Sequence, residues 1–331
     1  MRHLRVLLLI AVCGCGGQKG PVVVLYTSVD SPFAEPILRD FTAKTGIDVR
    51  SLFDTEAAKT VGLARRLLAE SSSPRCDVFW SNEILQTVML ARAGVLAPYA
   101  SPEAPPALRG RDDLYTYFGG RLRVLLMRTD TKGPATPPEG VAALGDNVHA
   151  RRAAMAQPLA GTTLTHAVAL FAAMGQERAA AFFEAIIGNG TKIVPGNATA
   201  KDLVVEGEAA FCLTDSDDAE KGLAESPAVR VVAPDQAAGG MGALMIPGSI
   251  ALLARAPHPE EAKKLIDFLL SKEVSARMRR DGAFQIPLRD DGGPVPELYR
   301  PERVRTMAVD WEKAHELLPA AQERLMRLFL R

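Results

Sequence analysis

The sequence has no excess of either charge: 39 Lys+Arg stand against 39 Asp+Glu, with no Lys/Arg-rich run. Sequence-independent nucleic-acid binding therefore has no electrostatic source. No apolar run approaches the ~20 residues that a membrane-crossing helix needs. Internal repeats and low-complexity tracts are absent. So are the Gly-x-Ser-x-Gly elbow, the His-Glu-x-x-His zinc pair, the P-loop and the Gly-x-Gly-x-x-Gly fingerprint, which leaves the common hydrolase, metalloprotease and nucleotide sites unrepresented. Cysteine is scarce, with four in 331 residues. What is present, 47% apolar and 24% charged residues, matches soluble globular chains and excludes disorder or a coiled coil. The length fits roughly two domains of ~150 residues.

The first twenty residues read as a leader. Arg2, His3 and Arg5 precede the apolar run 6–12, and Cys13, Gly14, Cys15, Gly16 and Gly17 follow. A basic start, a short apolar core and a small-residue boundary describe a secretory signal. Val12-Cys13-Gly14-Cys15 resembles the lipobox of bacterial lipoproteins, with Cys15 fitting the lipidated position better than Cys13. The expectation is an exported chain, periplasmic or at the cell surface, anchored through Cys15, with residues 1–20 as signal and tether. Ordinary cleavage to a soluble periplasmic protein is the alternative. Cys76 and Cys212 are then the only mature cysteines, far apart in sequence and expected as two buried, unpaired thiols.

Strands and helices alternate along the mature chain. Residues 22–26 read as a buried strand, 34–45 as an amphipathic helix stopped by Gly46, and 47–53 as a strand of period two. A helix through about 71 follows, then a strand at 76–80 and a helix at 84–93. This order implies a parallel, right-handed sheet whose strand-end loops share one edge, where ligands bind in open α/β sheets. A strand at 122–127 leads to a second unit over about 153–243, with strands at 153–156, 192–194 and 209–213 and helices at 163–174 and 177–187; strands at 244–247 and 250–253 come next. Residues 260–270 form a regular helix, and 295–331 a terminal one.

The chain resembles the iron-type group of bacterial ABC-transporter substrate-binding proteins. The resemblance runs through Leu25-Tyr26-Thr27-Ser28, the segments 41–49 and 66–70, Cys76-Asp77-Val78-Phe79-Trp80-Ser81-Asn82-Glu83 and 94–99. It continues through Ala156-Gln157-Pro158-Leu159-Ala160-Gly161-Thr162-Thr163, 256–262 and Gln285-Ile286-Pro287-Leu288. It implies an α/β, two-lobed type 2 periplasmic binding protein fold. Each lobe would hold a mainly parallel sheet flanked by helices, with the ligand cleft between the lobes. Residues 21–122 plus 246–331 would form lobe 1, and 123–245 an inserted lobe 2. Crossings would fall near 121–127 and 242–246, with the C-terminal helices returning to lobe 1. The implied role is the binding component of an importer: a monomer that delivers a small ligand to an inner-membrane permease, with no catalysis and no nucleic acid.

In the best-known iron binders of this family, two adjacent tyrosines in the second lobe coordinate ferric ion, with a His and an acidic residue from the first. The corresponding stretch here, Leu213-Thr214-Asp215-Ser216-Asp217-Asp218, has no tyrosine. The His position resembles Asp30, and the acidic one falls at Asn82 or Glu83. Hard oxygen donors replace the phenolates. Asp215, Asp217 and Asp218, with Glu83, form a candidate metal set, and Asp30, Asp54 and Glu56 could meet them across the cleft. Carboxylates suit hard cations such as Fe³⁺, Mg²⁺, Ca²⁺ or Mn²⁺, and equally an ammonium group. The bland reading of the Asp run is an acidic cap for a helix beginning near Ala219. Gly161, Thr162 and Thr163 open a helix and offer N–H and hydroxyl donors to an accompanying anion. Asp54-Thr55-Glu56 repeats this on the first lobe. Tyr26, Thr27, Ser28 and Asn197 complete the candidate ligand-binding set, although turn chemistry alone accounts for Asn197 and packing for Tyr26.

The expected cargo is ferric iron or another hard cation, with room for a synergistic anion, and no catalytic cofactor is expected. Binding of 2-aminoethylphosphonate, thiamine or a polyamine is the alternative. Asp215-Ser216-Asp217 also matches the DxD pattern of metal-dependent transferases, a three-residue signal that an export leader does not suit.

Overall fold

The computed structural model describes residues 20–54, 61–281, 283, 286–290, 292–293, 299–300 and 302–330. The leader with Cys13 and Cys15, and the Thr55 and Glu56 candidates, lie outside these.

The first half begins with β1 (Val22–Thr27), α1 (Ser31–Thr45), β2 (Asp48–Phe53), α2 (Val61–Ala69), β3 (Val78–Ser81), α3 (Leu85–Arg92) and the two-residue β4 (Leu96–Ala97). β1 lies between β2 and β3 and pairs with both in parallel, as the alternating pattern requires. α1 buries Ala34, Ile37, Leu38 and Phe41 on one stripe and ends at Gly46, whose φ of 73° is the left-handed conformation that favours glycine.

The long strand β5 (Thr116–Arg128) then leaves this half and enters the second. There it is followed by β6 (Ala153–Ala156), α4 (Gly161–Met174), α5 (Gln176–Gly188), β7 (Lys192–Val194), α6 (Asn197–Glu206), β8 (Phe211–Asp215), α7 (Ser216–Glu225) and β9 (Val229–Val232). β10 (Met245–Leu253) crosses back, and α8 (Pro259–Leu269), α9 (Lys272–Arg280) and α10 (Trp311–Phe329) close the chain. The strand order is β2-β1-β3-β10-β5-β8-β6-β7, with β4 on β10 and β9 on β5. The outer strands of each half are parallel, and the crossing strands β5 and β10 run antiparallel to their neighbours.

β10 corrects one expectation. The runs at 244–247 and 250–253 are one strand, bent by a register shift between Pro247 and Gly248. The bend lets its first residues pair with Leu122 and its last with Val78. α6, α9 and β9 were not foreseen, and α7 starts three residues before Ala219. The terminal helix also differs from expectation. α10 lays Ala314, Leu318, Ala321 and Leu325 into the apolar core that holds Leu164, Phe171 and Phe183 of the second half, because its stripe matches the exposed flank of α4 and α5. It reaches α3 of the first half through Arg92, which meets Glu312 at 2.7 Å and Glu316 at 3.0 Å.

Separate cores hold the first half, around Leu25, Phe41, Trp80 and Leu265 and around Tyr26, Phe79 and Leu63. Cys76 and Cys212 are buried and unpaired, as expected. No helix among the described residues is long and apolar enough to cross a membrane.

At the β10 bend, a Cβ on Gly248 would come within 2.8 Å of the Phe118 carbonyl and 2.9 Å of that of Ser81. Both contacts are backbone and cannot rotate away. Gly248→Ala is therefore expected to lower stability by about 1–3 kcal/mol, measured by urea denaturation.

Candidate functional site

The strand alternation of β5 sets the site. Leu125 and Met127 point into the core under α4, so Arg121 and Arg123, four and two residues before Leu125, share that face. Leu122, Val124 and Leu126 occupy the opposite core with Cys212 and Ala219. Arg123 is completely buried. Its Nη1 donates to Asp215 Oδ1 at 2.6 Å and to Asn197 Oδ1 at 3.1 Å. The other carboxylate oxygen of Asp215 accepts from the Thr162 hydroxyl at 2.6 Å and the Asn197 amide at 3.0 Å. Thr163 donates to Asn197 Oδ1 at 3.2 Å. Four residues expected as ligands therefore form a closed polar network around an arginine.

Asp215 precedes α7 but makes no side-chain cap, because its oxygens are engaged with Arg123, Thr162 and Asn197. Pure capping is thus not its role. Burial raises the Asp215 carboxyl, but the Arg123 and Arg121 charges outweigh it and hold the group below its ordinary range. His166, one turn along α4 from Thr162, is a buried packing histidine. Burial first, and Arg123 second, push it down to about 3, so it is neutral.

Beyond this network lies a cavity of about 580 Å³ between the halves, lined by Asp30, Asn82 and Glu83 from one side and by Arg121, Gly161, Thr162, Thr163, Asn197, Asp215, Asp217, Asp218 and Lys221 from the other. Among the described residues no tyrosine or histidine lines it. Asp215, Asp217 and Asp218 each place a carboxylate oxygen within 4.8 Å of the others. Asp217 meets Arg121, Oδ2 to Nε at 3.0 Å, while its buried Oδ1 has no hydrogen-bond partner. Asp218 meets Lys221 at 3.4 Å. Burial raises Asp217 against the Arg121 charge. Burial also raises Asp218, and the neighbouring Asp217 and Asp215 charges add to it, bringing it to about 7.

Other expected residues are placed differently. Tyr26 is buried in the first-half core, with its hydroxyl donating to Glu70 at 3.0 Å and its ring under Arg66. It is outside the cavity, because a strand of period two turns it toward α2. Thr27 accepts the Val29 N–H at 3.0 Å, and Ser28 accepts the Asn82 N–H at 2.9 Å; both shape the loops without lining the cavity. The Asp54 N–H donates to the Thr27 carbonyl at 3.0 Å, again outside the lining. Glu83 lines the cavity, but its oxygens accept from the N–H groups of Leu85 and Gln86 and from the Thr165 hydroxyl. Burial raises its carboxyl against those hydrogen bonds. Arg121, Arg123 and Lys221 escaped the sequence reading. The two arginines had a signal, their period-two spacing in the largely apolar run of β5, whereas Lys221 on α7 had none.

A charged cavity between two α/β halves joined by two crossing strands is the arrangement of a solute-binding protein. The chain belongs to the bacterial extracellular solute-binding proteins, whose family model matches residues 22–283. It is 26% identical over 269 residues to the iron uptake protein A1 of Synechocystis, covering 76% of this chain and 72% of that one. It is 35% identical over 95 residues to a 2-aminoethylphosphonate-binding periplasmic protein of Salmonella typhimurium, covering 27% and 28%. Iron-bound HitA from Pseudomonas aeruginosa superposes with a TM-score of 0.80 at 22% identity, over 92% of this chain and 99% of that one. Trichodesmium IdiA (FutA) with iron and citrate gives 0.75 at 19%, over 94% and 100%. These structural likenesses establish the two-lobed periplasmic binding protein fold.

Two outcomes follow from the charge geometry. Arg123→Met leaves Asp215 buried without its partner and is expected to cost about 3–5 kcal/mol of stability, read by urea denaturation. Asp218 titrates near 7 in the folded chain, against about 4 when unfolded. The folded state thus binds the extra proton, and its stability falls as pH rises through that window. Asp218→Asn should flatten that slope, giving a variant more stable than the parent at pH 8 in thermal melts, with the gain fading toward pH 4.

Proposed function

We propose that the chain is the binding component of an ABC importer whose cargo is a hard cation, ferric iron foremost, accompanied by an oxyanion. The observation that carries this reading is the Asp215, Asp217 and Asp218 cluster, in which Asp217 keeps a buried oxygen without a hydrogen-bond partner. Asp215 is neutralised by Arg123, so Asp217 and Asp218 are the lead donors, with Asp30 and Asn82 approaching from the first half. A cation between them would relieve the repulsion and burial that raise both carboxyls. Oxygen-only donors suit such an ion. Arg121 and the first turn of α4, which has no side-chain cap, are the place for the anion. The iron-named relative and the iron-bound structures support the same choice.

In this reading residues 21–122 plus 246–331 and 123–245 are the two lobes, with α10 straddling them. The mature chain is a lipid-anchored monomer attached through Cys15, without catalysis, and the closed form docks on a permease of the inner membrane. Closure follows from population shift: cargo favours the closed state only by its better binding there.

A second reading has a specific observation behind it. The Arg121–Asp217 pair sets opposite charges side by side, which also suits a zwitterion such as 2-aminoethylphosphonate, for which one relative is named. Thiamine and polyamines, being cationic, find less complement beside the two arginines.

A thermal-shift series on the chelator-stripped chain separates these. Ferric citrate at saturating excess should raise Tm by about 5–10 °C, and Asp217→Asn should abolish the rise. A rise with 2-aminoethylphosphonate and none with ferric citrate would replace the iron reading with the second one.

A further inference from the structure

Glu83 sits where a first-lobe ligand was expected, yet its carboxylate faces another task. Oε2 accepts the Leu85 N–H and the Thr165 hydroxyl, each at 2.8 Å, and Oε1 accepts the Gln86 N–H at 3.2 Å. Leu85 and Gln86 are the first turn of α3 in the first half, and Thr165 belongs to α4 in the second. Both Glu83 and Thr165 are 2% exposed, so water does not compete for the bond. Leu85 shares an apolar core with Leu164 and Val168 beside this bond. Among the described residues no other hydrogen bond joins the first half to α4. Thr165 lies one turn beyond Thr162, and the first turn of α4 lines the cavity.

We propose that Glu83 is a positioning residue for cargo capture: it bridges the first turn of α3 to Thr165 and fixes the angle at which the cavity-facing start of α4 meets the first half, without touching cargo. The role in cargo affinity rests on the ferric reading above, whereas the role in lobe placement does not. A charge-assisted hydrogen bond closed off from water is strong, and a shared carboxylate is intolerant of displacement. The expected weakening on losing it is about tenfold.

The test uses Thr165→Val, which removes the hydroxyl and keeps the shape, Thr165→Ser, which keeps the hydroxyl, and Glu83→Gln. Nitroxide labels at exposed Arg39→Cys and Glu206→Cys report the interlobe distance by double electron–electron resonance without cargo. Titration with ferric citrate reports affinity. Thr165→Val should lengthen and broaden the distance distribution and weaken ferric citrate about tenfold, and Thr165→Ser should return both toward the parent. If Thr165→Val leaves the distance distribution unchanged, the bridge does not set the lobe angle and the proposal is wrong. If Glu83→Gln weakens ferric citrate while Thr165→Val does not, Glu83 is a direct ligand and the proposal is equally wrong. Should the parent bind no ferric citrate, the cargo reading fails, while the cargo-free distances still decide whether Glu83 holds the lobes.

Discussion

A fully buried arginine and an aspartate, Arg123 and Asp215, meet at 2.6 Å where β5, β8 and the starts of α4, α6 and α7 converge. An unpaired charge at such a place would be untenable, so each partner requires the other. Three helix N-termini add their positive ends to the Asp215 side, and Thr162 and Asn197 supply the remaining donors. The hub ties the crossing strand to the second half and fixes the cavity floor. It also consumes the first carboxylate of the Asp215-Ser216-Asp217-Asp218 run, leaving the next two with raised affinities for protons. Burial and neighbouring negative charge disfavour the ionised form of both carboxyls, and a bound cation would supply the counter-charge that this form lacks. In the proposed cation reading, receptivity to cargo arises from how unevenly the arginines are shared among three aspartates.

Much of the fold was legible in the sequence because strands buried on both faces are written as apolar runs. The segments at 22–26 and 153–156 stand where β1 and β6 lie, and 192–194 marks the less buried edge strand β7; Gly46 ends α1 as its conformation demands. β10 was split in two because Pro247-Gly248 resembles a turn, whereas the strand absorbs it as a register shift. The tail helix was assigned to the first lobe although its apolar stripe packs on α4 and α5. Periodicity gives the stripe, not its partner.

The site was legible by residue type more than by role. Asp30, Asn82, Glu83, Gly161, Thr162, Thr163, Asn197 and the three aspartates do line one cavity. Which of them face cargo depends on partners distant in sequence: Arg123 is 92 positions from Asp215, and Thr165 is 82 from Glu83. Local spacing carries no trace of either. Arg121 and Arg123 were nevertheless marked by their alternation in an apolar strand, since a charge facing inward there needs a buried counter-charge. Tyr26 shows the reverse error, a polar side chain at a strand end whose parity points it to Glu70 rather than the cleft.

The central claim, that Asp217 and Asp218 hold a hard cation beside a neutralised Asp215, is tested most directly by anomalous diffraction at the iron edge from crystals grown with ferric citrate. The account predicts one interlobe peak within coordination distance of oxygens from Asp217 and Asp218, with Arg123 still on Asp215. No peak in the cleft, or a peak coordinated by other residues with Asp217 still held only by Arg121, would contradict it.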